Sequence, residues 1–175
     1  MRIPAWLRST VQWLASGIEV SVLGALLALG LMVVLSGFAG MPWYSYGNLI
    51  ATGVYPPTVL DERAGYWTAS GYALAFLYFA GTGVLFSLVF RSRRRGVGPH
   101  LVGVAYALAL FMAGDRYWWQ YWSPYLIVYG IHAHLMWSHV VFGVALGWLP
   151  TRRALRDPSP EATAETQPLR LQESS

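Results

Sequence analysis

Hydrophobic and polar positions divide the chain into long apolar runs, a mixed leader and a polar tail. The runs are Gly17 to Phe38, Trp67 to Phe90, Leu101 to Trp122 and Gly130 to Leu149. Each reaches the ~17 to 25 mainly apolar residues that a helix needs to cross a bilayer, so each predicts a membrane span. The third run holds Asp115 and Arg116 in its outer part, and the fourth holds His132, His134 and His139. The leader, PAWLRSTVQWLAS, places Leu7, Val11 and Leu14 at helical spacing with Arg8 and Gln12 off that stripe. That pattern predicts a short helix lying on the membrane surface within residues 1–16. After Pro150 the sequence is polar, proline-interrupted and without aromatic residues, which predicts a basic anchor and then a disordered tail over 151–175.

Arginine placement orients the spans, because Lys and Arg near span ends favour the cytoplasmic side. Arg2 and Arg8 precede the first span, Arg91, Arg93, Arg94 and Arg95 lie between the second and third, and Arg152, Arg153 and Arg156 follow the fourth. The connection between spans one and two has only Arg63, beside Asp61 and Glu62, and Trp122 to Tyr129 has none. Both termini are therefore expected in the cytoplasm. PWYSY after the first span and RYWWQYW at the end of the third resemble the aromatic belts of an outer interface. GFA before Gly40 loosely resembles a signal-peptidase site, but the apolar run is about twice the usual length of a signal core and its leader is long. The run is read as a span.

Composition agrees: 55% of residues are hydrophobic, 15% aromatic and only 11% charged, as in membrane proteins. The net charge of +4 comes with no lysine, a bias that points to a GC-rich bacterial genome, and with the apolar spans the expected location is a bacterial inner membrane. Because the arginines flank apolar spans, the charge speaks for membrane topology and against nucleic acid. Arg91, Arg93, Arg94, Arg95, Arg152 and Arg153 are expected to attract anionic lipid headgroups, at on the order of 1 kcal/mol for each charge near the surface. With no cysteine, disulfides, thiolate metal sites, iron–sulfur clusters and cysteine nucleophiles are excluded.

A faint internal repeat pairs GALLALGL from Gly24 with GVAYALAL from Gly103, and YSYGNLIATG from Tyr44 with YWSPYLIVYG from Tyr121. It would make the protein a two-plus-two bundle. Small residues recur at four-residue spacing, as Gly17, Ser21 and Ala25 in the first span and Gly143 and Gly147 in the fourth. Lipid gives helices no hydrophobic reason to associate, so such positions let backbones approach and gain dispersion contact, within the bundle or across a homodimer.

Helical geometry divides the histidines. His132 and His139 share a face but lie ~10 Å apart along the axis, and His134 points elsewhere, so one straight helix cannot chelate a metal with all three. The i, i+4 pair of zinc peptidases is absent. His100 starts the third span at the cytoplasmic surface, ~15 Å from the depth of His139, which excludes a paired-histidine haem. Met112 lies near that depth, leaving a His/Met haem as a weak alternative. No cofactor is expected. Asp115 and His134 fall at a common depth ~21 to 23 Å from the cytoplasmic side, with Arg116 alongside. They are a candidate polar cluster, against the alternative that the helix ends early and leaves Asp115 and Arg116 as interfacial anchors. Glu19 is expected to snorkel or to pair with an arginine. His139 sits near the middle of the fourth span and must bond to a backbone carbonyl, Ser70, Thr82 or a tyrosine, to fix packing or to serve a proton or ligand.

The NLIA segment after span one, the glycine-rich returning helix and HVVFGVALGWL in span four together resemble a loose group of small bacterial four-span membrane proteins. The resemblance covers most of Gly17 to Leu149 and rests on His139, Phe142, Gly143 and Gly147. It implies topology and no activity. The sequence-level expectation is an all-α four-helix transmembrane bundle, non-enzymatic, acting as an interaction or accessory protein of a membrane assembly that contacts another membrane protein, a second copy or lipid. The alternatives are a small transporter or proton-linked permease using Asp115, His134 and His139, and a membrane redox or enzyme subunit. A polar cavity joining those three residues favours transport, and a dry interior opposes it.

Overall fold

The computed structural model describes residues 5–90 and 96–156, all helices and short connections with no strand among them. Arg91, Arg93, Arg94, Arg95 and the chain after Arg156 lie outside the described residues. Helix α1 (Ala5–Phe38) leads into a short α2 (Ser45–Ala51), a 3-10 turn (Pro57–Leu60) and α3 (Tyr66–Val89). Helix α4 (Val97–Ala113) continues through a π-helical turn (Gly114–Trp118) into α5 (Trp119–Trp122). Helices α6 (Pro124–Tyr129), α7 (His132–Leu146) and α8 (Leu149–Arg156) complete the chain.

Among the described residues three helices are long and apolar enough to cross a membrane: Val11–Phe38, Tyr66–Val89 and Val97–Trp122. At most 33% of each hydrophobic window is buried inside the molecule, so most of this apolar surface faces outward, as in a membrane protein. Helix α7, at 15 residues, is shorter than the expected span because Gly130 and Ile131 break the helix ahead of it. The leader expected as a separate surface helix instead continues α1 without a break. The basic anchor after span four is also helical, as α8.

Packing is most extensive between α1 and α3, α1 and α7, and α4 and α7, while α2 lies against α3. Both expected small-residue faces are used inside the molecule. A Cβ on Gly143 would come within 2.6 Å of the Gly103 carbonyl oxygen of α4, and one on Gly147 would overlap His100. On the other side, Gly17 receives Ser87 of α3 and Gly83 receives Ser21, whereas Ala25 is fully buried. Without Cβ atoms in the way, the backbones approach closely and gain contact that lipid cannot supply.

The π-helical turn explains how α4 changes its inward face. Gly103, Ala107 and Gly114 are buried at roughly helical steps, but the next buried residue, Trp119, comes five positions on. That extra residue swings the Trp119 indole over Gly114 and into the bundle, leaving Tyr117, Trp118 and Tyr121 exposed. One core cluster forms around Val20, Phe79, Phe86, Phe142 and Leu146, and a second around Met32, Tyr46, Ile50, Trp119 and Leu135.

Candidate functional site

The second cluster sits beneath a cap built from α2, the 3-10 turn and α6. Helix α1 ends before the cap in a glycine turn, with Gly40 at φ +70 and the Met41 N–H donating to the Ser36 carbonyl at 2.9 Å. Six of the seven residues of α2, Tyr46 to Ala51, are then buried. A helix this short has little stability of its own, and its polar side chains supply what holds it. Asn48 Nδ2 donates to the Val59 carbonyl at 2.9 Å and the Glu62 carbonyl at 3.0 Å, fixing the turn across the top. Its Oδ1 accepts from the Thr68 hydroxyl at 2.5 Å, and that hydroxyl accepts from the Gly65 N–H at 3.1 Å, capping α3. Ser123, between α5 and α6, donates to the Leu49 carbonyl at 2.8 Å and lies 2.9 Å from the Thr52 hydroxyl.

Tyr46 ties the cap to α7. Its hydroxyl accepts from the Ile131 N–H at 3.1 Å and lies 3.0 Å from His134 Nδ1. Asp115 is elsewhere: its Oδ1 is 3.2 Å from His132 Nε2, an ion-pair distance without hydrogen-bond alignment. The expected Asp115–His134 cluster is therefore not assembled. Equal depth did not bring the two together, because the break at Gly130 and Ile131 starts α7 so that His132 faces the π-helical turn while His134 faces Tyr46. Both members of the Asp115–His132 pair are substantially exposed, and Arg116 is exposed beside them.

His139 is only 2% exposed, and it bonds within its own helix, with Nδ1 2.8 Å from the Leu135 carbonyl. Among the described residues it thus makes no hydrogen bond to another helix, and Ser70 and Thr82 both bond elsewhere. Its ring lies among Tyr78, Phe79, Phe111 and Trp119, with centroids 5.0 to 6.0 Å away. Nε2 has no hydrogen-bond partner among the described residues. Met112 is 68% exposed and faces away from the bundle, so the His/Met pair needed for haem is not formed. Among the described residues no three His, Asp or Glu side chains gather as metal ligands.

Arg153 departs most from expectation. Instead of reaching headgroups it is buried, donating to the Phe90 carbonyl at 2.6 Å and the Ser87 carbonyl at 2.5 Å while its guanidinium lies 4.2 Å from the Trp13 ring centre. These carbonyls belong to the last turn of α3, where acceptors are left over and a cation is favoured. Burial lowers its pKa to about 10, which still leaves it charged at neutral pH. Arg152 is 3.2 Å from Glu19, the carboxylate–arginine pair expected for that acid.

Two hollows remain. A cleft of about 350 Å³ opens in the cap, lined by Met41, Tyr44, Asn48, Leu60, Asp61 and Tyr129. A smaller cavity of about 40 Å³ lies at His139, and neither Asp115, Arg116, His132 nor His134 lines it. Sequence reasoning missed Tyr46, Asn48 and Trp119 as organising residues; the signal for Asn48 was a carboxamide within the otherwise apolar NLIA segment. Compared with known proteins, the chain matches no family model, no curated protein and no solved structure.

Proposed function

We propose that this is a non-enzymatic, four-span protein of the bacterial inner membrane whose working surface is the outer cap, where a neighbouring membrane protein docks. The observation that carries the reading is the construction of the cap: a buried helix bonded to four neighbouring segments, holding open a cleft of about 350 Å³. Rigid walls let a partner bind without first ordering the site. Tyr44 and Tyr129 offer aromatic faces and Asp61 a negative edge, which suit an apolar side chain flanked by a basic one. The transport reading is weakened because the cavity at His139 does not include the other polar candidates.

The way α7 lies on α4 supports threading four times. At one end His132 approaches Asp115, and at the other Gly147 meets His100, so the two helices run antiparallel over the same fifteen-residue rise. That rise is ~22 Å of helix, most of a ~30 Å hydrocarbon core, and what α4 crosses α7 crosses too. The α1–α3 and α4–α7 pairs, each closed through glycine, support the two-plus-two reading. Arginine at the leader, between α3 and α4, and in α8 supports a cytoplasmic side for both termini. There Arg91, Arg93, Arg94 and Arg95 meet anionic headgroups.

Photo-crosslinking in native membranes tests the docking surface. A photoreactive phenylalanine at Tyr44 or Tyr129 should give a discrete protein adduct, whereas one at Leu77 or Leu85, exposed on α3, should label lipid. Equal adducts at both sets, or none at the cleft, would overturn the proposal.

A further inference from the structure

Three buried side-chain atoms lack a hydrogen-bond partner among the described residues: Asp115 Oδ1, Arg153 Nε and His139 Nε2. Asp115 has His132 at ion-pair distance, and the other two nitrogens of Arg153 are bound. His139 has no such compensation. The Leu135 carbonyl can only accept, so Nδ1 carries the proton and Nε2 of the neutral ring is a bare lone pair. A buried acceptor with nothing to accept bears its full desolvation penalty, which a bound donor would relieve.

The cavity at His139 states what kind of donor fits. Met32, Ile50, Ala75, Phe79 and Leu135 give it apolar walls, the rings of Tyr78 and the tryptophans complete them, and no hydroxyl or indole N–H among them bonds to Nε2. Its volume is about 40 Å³. At ~10–15 Å³ for each water-sized centre, that is room for about three or four heavy atoms. Water needs two to four polar partners to be held, and Nε2 is the one orphaned acceptor in a lining that is otherwise mainly apolar. An amphiphile with a single O–H and a short hydrocarbon body matches both features. An ion does not, since no charge faces the cavity to compensate its desolvation. Trp118 lines the cavity and is 60% exposed, so its ring separates the site from the surrounding lipid.

We propose that the cavity at His139 binds a small uncharged alcohol, its hydroxyl donating to Nε2 and its carbon chain packed against Met32, Ile50, Ala75 and Phe79. The ligand reaches the site from the lipid phase, past Trp118. His139 is thereby a binding residue, and its tautomer, held by Leu135, sets the preference for a donor over an acceptor.

The full chain in lipid nanodiscs, labelled with 15N-histidine, tests this with 1-propanol and its isomer ethyl methyl ether. The two probes have the same atoms, but only the alcohol donates. His139→Gln identifies the His139 Nε2 resonance by its disappearance. Propanol is expected to move that resonance upfield in a saturable way, and the ether to leave it in place. Ala75→Leu, which fills the cavity from the α3 side while leaving His139 intact, should abolish the response. Ala75→Val serves the same purpose with less crowding and should weaken binding at least tenfold. Equal shifts with both probes would mean simple filling of space and would overturn the proposal. So would a shift that never saturates, or a resonance already hydrogen-bonded before titration and unmoved by propanol, the sign of water alone.

Discussion

Replacing Asn48 with alanine removes the side chain on which the cap converges. Asn48 is 2% exposed and takes part in three hydrogen bonds, with Val59, Glu62 and Thr68. A net ~1 kcal/mol for each gives a loss of about 3 kcal/mol, with the stranded Val59 carbonyl pushing the figure up and water reaching the cap edge pulling it down. Unfolding by denaturant in mixed micelles, followed by tryptophan fluorescence, measures the loss. Thr68→Val provides the partner for a double-mutant cycle. Because Thr68 and Asn48 share one bond, the double variant should lose about 1 kcal/mol less than the sum of the singles. A loss in Asn48→Ala below about 1 kcal/mol, or strict additivity with Thr68→Val, would refute the claim that this carboxamide holds the cap together.

Other substitutions test the remaining joints. Gly143→Val forces a side chain against the Gly103 backbone and should destabilise by about 1–3 kcal/mol or more in the same unfolding assay, whereas the same change at Gly30, which has open space around it, should have little effect. Arg153→Met keeps the apolar stem but removes two charge-assisted bonds to the end of α3; a loss of about 3 kcal/mol is expected, with Arg153→Lys recovering only part of it. Tyr46→Phe deprives the Ile131 N–H and His134 of a partner and should cost about 1–2 kcal/mol, together with faster amide exchange at Ile131.

The all-helical class and the three long apolar helices could be read from the sequence because hydrophobic run length is a property of the chain alone. Gly143, Gly147, Gly17 and Ser21 were legible for the same reason, as spacing fixes which residues share a helix face. What spacing does not fix is the partner. Asp115 and His134 have matching depths on ideal helices, but the helix break at Gly130 and Ile131 and the five-residue step to Trp119 rotate both helices away from ideal phase. Arg153 misled in another way: arginine beside a span usually faces headgroups, yet here the unpaired carbonyls of Ser87 and Phe90 lie within reach and compete with lipid for it. The cap escaped notice because α2 is too short to leave a periodic signal and is stabilised by distant residues such as Ser123 and Ile131.

Sidedness of the two ends of the chain tests the four-span account most directly, because a chain that crosses three times leaves its ends on opposite sides. The protein has no native cysteine, so single cysteines report without background. Cysteines at Ser9, Thr58 and Thr151 are to be exposed, one at a time in intact cells, to a thiol reagent that cannot cross the membrane. The account predicts labelling at Thr58 alone, with Ser9 and Thr151 reacting only after permeabilisation. Labelling of Thr151 from outside while Ser9 stays protected would contradict it, and would mean that α7 packs on α4 without crossing.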